Sequence, residues 1–94
     1  MSLKPIKTAI LSYGMSGEVF HAPLIDAHPE FELSLVLQRS KQSAEAHYPN
    51  CRVVKTFEEV LSDASVELVV VNTPNHLHLE QAAKSLQAGK HVIV

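Results

Sequence analysis

Apolar residues in this chain gather in five short runs, separated by turn residues or by stretches with a helical repeat. Ile6 to Leu11 (IKTAIL), Phe31 to Leu37 (FELSLVL), Cys51 to Lys55, Val66 to Asn72 (VELVVVN) and His91 to Val94 read as strands. The Val69-Val70-Val71 run does not alternate, which predicts a central strand buried on both faces. Glu18 to Ala27 carries Val19, Phe20, Leu24 and Ile25 on one helical side. Pro23 lies inside that pattern, so the helix either starts late or bends there. Ser40 is a candidate N-cap for a short helical piece from Ser43 to His47, which Tyr48-Pro49-Asn50 ends. Thr56 to Leu61 has the spacing of a capping box, with Thr56 as the cap and Glu59 three residues on. His76 to Ala88 is the longest helix, and Leu79, Ala82, Ala83 and Leu86 predict its buried stripe. Glu80 and Lys84 can pair at i, i+4. Gly89 stands where a left-handed C′ residue belongs.

Strands that alternate with helices imply crossover connections and a parallel sheet, hence an α/β fold. A glycine turn after the first strand selects the doubly wound Rossmann arrangement, with strand order 3-2-1-4-5. At 94 residues the chain is one small domain or part of one. Its composition, 46% apolar and 19% charged, is that of an ordinary globular protein. A net charge of -2 gives no electrostatic reason to expect nucleic acid or an acidic membrane as a partner. No apolar run approaches the roughly 20 residues of a membrane span. The N-terminus MSLKPIK lacks the apolar core of a signal peptide, so cytoplasm is the expected location. Cys51 is the single cysteine, which excludes an internal disulfide.

The candidate chemistry starts at the turn Ser12-Tyr13-Gly14-Met15-Ser16-Gly17. The dinucleotide fingerprint is G-x-G-x-x-G between a strand and a helix. Gly14 and Gly17 match its second and third glycines, and Ser12 replaces the first. Gly14 would let the backbone approach a pyrophosphate, and Gly17 would let the helix pack close to the strand. An ordinary βα turn is the competing reading. An acidic residue about 20 positions beyond the glycines normally holds the adenine ribose of NAD. Gln38 stands there instead, followed by Arg39 and Ser40. No carboxylate would repel a 2′-phosphate, Arg39 offers it a planar fork and Ser40 a hydroxyl. The expected cofactor is therefore NADP, with NAD as the alternative. Arg39 as a solvated surface charge remains the simpler explanation of that residue.

Other chemistries fit less well. Glu18 and Val19 follow Gly17, so there is no P-loop lysine. A methyltransferase would carry an acidic residue after the second strand. His76 and His78, the closest of six histidines, are two apart and do not share a helix face. His21, His28 and His47 have no ligand-spaced Cys or carboxylate nearby, and no metal site is expected. His21 and His78 are candidate walls of a cofactor site, with structural histidines as the alternative. Arg52 beside Cys51 could lower the thiol pKa, but a half-buried strand thiol is commoner and it is given no role.

Two motifs carry a family resemblance. SYGMSGEVFHAPLI resembles the first βα unit of the Gfo/Idh/MocA oxidoreductases, in the subgroup with aromatic-His-Ala-Pro after the last glycine. VELVVVNTPNHLHLEQAAKSLQAGKHVIV is similar to that family's fourth strand, Thr-Pro-Asn turn, helix and Ala-Gly-Lys-His lead into strand five. FEEVLSD between them also fits, so the resemblance runs from about Ile6 to Val94. It implies an NAD(P)-dependent dehydrogenase or reductase acting on a sugar, cyclitol or related polyol. It implies that Tyr13, Gly14, Met15 and Ser16 belong to the phosphate turn, and that Thr73, Pro74, Asn75 and His78 lie beside the cofactor. Arg39 and Ser40 match the ribose-phosphate position of members that prefer NADP. Ser12 departs from the family glycine and bears on pyrophosphate binding.

In the family, strand five runs into a Glu-Lys-Pro triplet with a catalytic or substrate-orienting lysine. This sequence stops at Val94, where that triplet would begin, and no catalytic residue is named within it. The expectation is that residues 1–94 are the N-terminal dinucleotide-binding part of a larger enzyme, inactive by themselves. The small-molecule substrate would be handled by a domain outside this sequence. A non-catalytic nucleotide-binding module, such as a redox sensor or scaffold partner, is the alternative from a different class. A purely structural domain that binds no cofactor is a third. Strand five would form an open edge, which predicts that the isolated chain self-associates, as a homo-oligomer, or is poorly stable.

Overall fold

Five parallel strands form one sheet in the order β3-β2-β1-β4-β5. They are β1 (Ile6–Ile10), β2 (Phe31–Leu37), β3 (Arg52–Val54), β4 (Leu68–Val70) and β5 (His91–Ile93). The helices between them are α1 (Ala22–Ala27), α2 (Ser43–His47), α3 (Phe57–Ser62) and α4 (Asn75–Gln87). The computed structural model describes residues 4–14, 21–39 and 43–94. The expected α/β doubly wound order is the observed one; β2 has the expected bounds, and the other strands are shorter than the apolar runs. Hydrogen bonds continue past the strand ends, as from Glu67 N–H to the Lys7 carbonyl and from Val71 N–H to the Ile93 carbonyl.

Each central strand divides its side chains between two cores, as a sheet covered on both faces requires. Ala9, Leu11, Val69 and Val71 enter one cluster with Val60 of α3. Ile10 and Val70 enter the other with Ala22 of α1 and Ala44 of α2. β2 departs from strict alternation. Leu33 belongs to the α1/α2 core and Leu35 to the α3 core, although they are two apart. The register explains this. Thr8 pairs with Leu33 and Ala9 with Leu35, so Ser34 is an extra residue that reverses the faces.

The end signals are built as the sequence predicts. Thr56 accepts from the Glu59 N–H, and the Glu59 carboxylate accepts from the Thr56 N–H. The Lys55 N–H, then the Thr56 N–H, both donating to its carboxylate, hold the Glu59 carboxyl below its ordinary range. Gly89 has φ 81°, and the bonds Gly89 N–H to Leu86 C=O and Lys90 N–H to Ser85 C=O form a Schellman motif. Lys84 pairs with Glu80 at 2.9 Å. Pro23 falls in the first turn of α1 as described, where its missing N–H is tolerated. The expected start of that helix at Glu18, with Val19 and Phe20, lies outside the described residues.

The buried face of α4 corrects the sequence-based expectation. Leu79 and Leu86 are 84% and 60% exposed, whereas Gln81 and Ser85 are buried. The inward stripe is therefore His78, Gln81, Ala82 and Ser85, rotated by about one position. Polar contacts at both ends fix that rotation. Gln81 meets the Thr73 hydroxyl, the His78 ring meets the Thr73 carbonyl, and the Ser85 carbonyl takes the Lys90 N–H. A hydrophobic pattern alone could not register those contacts.

Lys90 is buried, yet its ammonium is satisfied. Its Nζ donates to the carbonyls of Asp63 at 2.8 Å and Val66 at 2.9 Å, tying the entry to β5 onto the turn before β4. Lys90→Met leaves both carbonyls without that donor. The expected loss is about 1–3 kcal/mol of unfolding free energy, read from urea denaturation of the chain. An unchanged midpoint would show that the ammonium contributes nothing net.

Candidate cofactor site

The carboxyl ends of β1, β2 and β4 lie side by side, and the loops leaving them enclose a cleft of about 470 Å³. This is where an open α/β sheet changes winding direction and binds ligands. Ser12, Tyr13, Gly14, Arg39, Thr73 and Pro74 line the cleft together with Gln38 and Gln81. A second cavity of about 380 Å³ adjoins it, shares Arg39, Leu77 and Gln81, and adds Lys55 and Thr56.

The first loop folds on its own hydroxyl. Ser12 Oγ accepts from the Gly14 N–H at 3.4 Å, so serine supplies a local turn where the fingerprint has glycine. Gly14 itself has no left-handed φ. A Cβ added there would meet Ser12 Oγ at 3.7 Å, an ordinary contact. Packing among the described residues does not require glycine at this position, whereas a backbone approached by a diphosphate does. Tyr13 contributes backbone to the turn, but its ring is buried against α2 and its hydroxyl is 3.1 Å from His47 Nδ1. Met15, Ser16 and Gly17 lie outside the described residues.

At the second loop, Gln38 turns toward α2. Its Oε1 accepts from the Ala44 N–H and its Nε2 donates to Ser43 Oγ. Arg39, next in the chain, is exposed and has no carboxylate partner among the described residues. Lys55 Nζ donates to the Gln38 carbonyl at 3.1 Å, which sets a second cation beside Arg39. Ser40 lies outside the described residues.

The third loop is tied down by side chains. The His78 Nε2 lies 2.5 Å from the Thr73 carbonyl, so that nitrogen carries a proton and donates. Thr73 Oγ1 donates to the Gln81 amide oxygen. Asn72 accepts from the Leu11 N–H and donates to the Ser12 carbonyl. Asn75 and His78, expected beside the cofactor, are not among the lining residues. Asn75 opens α4, and His78 braces the turn from behind. His21, expected as a wall, instead borders a separate apolar trough with Leu24, Ile25 and Ile93. It comes seven positions after Gly14, where the chain has already left the cleft.

Three contributing residues escaped the sequence reading. Asn72 had a signal, a polar side chain closing an apolar central strand. Gln81 stands outside the apolar stripe of Leu79, Ala82, Ala83 and Leu86. Lys55 had none, since only the β2–β3 pairing brings it to Arg39. Cys51 is buried, and burial, then Glu45 and Asp26, pushes its thiol up rather than down. Among the described residues no group of three or more His, Cys, Asp or Glu could hold a metal, and no helix is long and apolar enough to cross a membrane.

Residues 6–94 match the family model of the Gfo/Idh/MocA oxidoreductases, described as an oxidoreductase family with an NAD-binding Rossmann fold. The chain belongs to this family. In this Gfo/Idh/MocA Rossmann domain the glycine-containing turn and the Arg39 guanidinium line one cleft, and Lys55 lines the adjoining cavity that shares Arg39. Among curated relatives, scyllo-inositol 2-dehydrogenase (NADP(+)) IolW of Bacillus subtilis (strain 168) is 42% identical over 95% of this chain and 25% of its own length. The oxidoreductase YdgJ of Escherichia coli (strain K12) is 35% identical over 95% of this chain and 26% of its own. A solved chain from Bacteroides fragilis NCTC 9343 superposes with TM-score 0.92 at 45% identity, over 95% of this chain and 28% of that one. D-galactose-1-dehydrogenase from Rhizobium etli gives TM-score 0.84 at 28% identity, over all of this chain and 29% of its own. The chain thus spans about a quarter of the length of these relatives.

Proposed function

We propose that this chain is the cofactor-binding part of an NADP-preferring oxidoreductase acting on a sugar, cyclitol or related polyol. The observation that carries the cofactor choice is Arg39, a guanidinium at the tip of β2 with no carboxylate partner among the described residues, in the same cleft as Gly14. A fork-shaped cation there suits a 2′-phosphate, and the ribose-binding carboxylate of NAD-selective sites is missing. In this reading Ser12, Gly14 and the rest of the turn hold the diphosphate, and Thr73 and Pro74 wall the other side. The substrate class is supported by two relatives whose names specify an inositol and a galactose dehydrogenase.

Bound NADP supplies hydride chemistry. The described lining of the cleft carries no carboxylate, histidine or lysine, and the role proposed for this chain is to orient the cofactor. Residues 1–94 alone are accordingly proposed to be inactive, with substrate binding and proton transfer supplied by further sequence in the full-length protein. Self-association of residues 1–94 along the β5 edge belongs to the same proposal, since Ile93 and Val94 are 52% and 69% exposed in this chain.

The full-length protein should reduce NADP+ in the presence of a cyclitol or aldose, following absorbance at 340 nm, and do so more efficiently than with NAD+. Tight NADP binding without turnover on any such substrate would favour the non-catalytic module. A preference for NAD+ would refute the role given to Arg39.

A further inference from the structure

The β1·β4 ladder ends with the pairing of Ile10 and Val70. Past that pairing the Leu11 N–H still reaches the Val70 carbonyl, just where the turn toward Gly14 begins. The Asn72 carboxamide carries the pairing one step further, onto Ser12. Its Oδ1 accepts from the Leu11 N–H at 3.1 Å, a donor shared with the Val70 carbonyl at 3.2 Å. Its Nδ2 donates to the Ser12 carbonyl at 2.8 Å. One side chain thus offers an acceptor and a donor to consecutive residues, as a peptide group of a neighbouring strand would. The Ser12 that it holds also folds the turn, through the Gly14 N–H on its Oγ. On its other side Asn72 is bonded in sequence to Thr73, whose hydroxyl and carbonyl are held by Gln81 and His78 of α4. A continuous chain of contacts runs from α4 through Asn72 to the turn.

We propose that Asn72 is a positioning residue that fixes the backbone of the Ser12–Gly14 turn against the Thr73–Pro74 turn, so that the diphosphate end of the dinucleotide meets preset N–H donors. This rests on the cofactor reading given above. Asn72 touches no cofactor atom in this account. It acts through the Leu11 and Ser12 backbone, and a loosened turn must be ordered by the ligand at the expense of affinity. Its influence is confined to ligands that reach the turn.

The test compares two ligands on the full-length protein by calorimetry. Adenosine 2′-monophosphate carries the group matched to Arg39 but no diphosphate, and NADP carries both. In Asn72→Ala, affinity for NADP should fall roughly tenfold, the equivalent of one or two hydrogen bonds, while that for adenosine 2′-monophosphate changes less than about twofold. Equal loss of both ligands, or loss of neither, overturns the positioning role. Asn72→Asp covers the case in which the alanine variant folds poorly. It keeps the volume and the acceptor for Leu11 N–H and removes the donor to Ser12. Amide hydrogen exchange of the ligand-free protein should then speed up at Tyr13 and Gly14 and stay unchanged in β2 and β3. Unaltered exchange at the turn overturns the proposal. Wild-type protein that binds neither ligand would overturn the cofactor reading itself, a result distinct from equal losses in the variant.

Discussion

Arg39→Ala is expected to weaken NADP binding on the order of ten- to a hundredfold and to leave NAD binding nearly unchanged. The range follows from the roughly 1.5–3 kcal/mol carried by hydrogen bonds to a charged group. The selectivity follows from placement. Arg39 lines the cleft from the tip of β2, has no carboxylate partner among the described residues, and is separate from the turn that holds Gly14. Arg39→Lys should fall between, since an ammonium keeps the charge and loses the planar fork. Lys55, whose Nζ is anchored on the Gln38 carbonyl, leaves a residual positive potential at the site in both variants. Calorimetric titration with the two cofactors side by side decides it. Equal losses for NADP and NAD would mean that Arg39 shapes the cleft generally, and no loss would make it a surface charge.

The second large effect should come from Gly14→Val, and it should not discriminate. Both cofactors lose at least about tenfold in affinity, because a branched side chain stands where the diphosphate must approach the backbone, and overpacking a fitted contact commonly costs about 1–3 kcal/mol. Folding should hardly notice. Gly14 has no left-handed φ, and an added Cβ meets only an ordinary contact with Ser12 Oγ. The midpoint of thermal unfolding in the absence of cofactor should therefore match wild type, with a stability change within about 0.5 kcal/mol. A clear fall in that midpoint would show that Gly14 serves the fold rather than a ligand. The two variants separate the ends of the cleft, since one removes a selective contact and the other blocks a shared one.

Much of the fold was legible because its signals are local. The unbroken Val69-Val70-Val71 run predicts a strand covered on both faces; Val69 and Val70 close β4, and Val71 is buried just past it. Thr56 with Glu59, and Gly89 after α4, mark helix ends through bonds that reach no further than a few residues. The loop positions of Gly14, Arg39 and Thr73 were readable for the same reason, since each directly follows a predicted strand. The bounds of β2 were legible, whereas the ends of β4 extend too far in the sequence pattern because Val66 and Val71 stay buried beyond the ladder.

The sequence by itself determined that the chain alternates strand and helix, that the sheet is parallel, and that three strand ends carry a glycine turn, an arginine and a Thr-Pro turn. Those properties depend on neighbours a few residues apart. Tertiary structure alone decided which face of α4 is buried, because Thr73 and Lys90 reach the helix from outside it and outweigh its exposed leucines. It decided where β2 changes faces, because the extra residue Ser34 exists only relative to its partner strand. It also brought Lys55 to Arg39 and Asn72 to Ser12, pairs that are distant in sequence and adjacent only once the strands lie side by side.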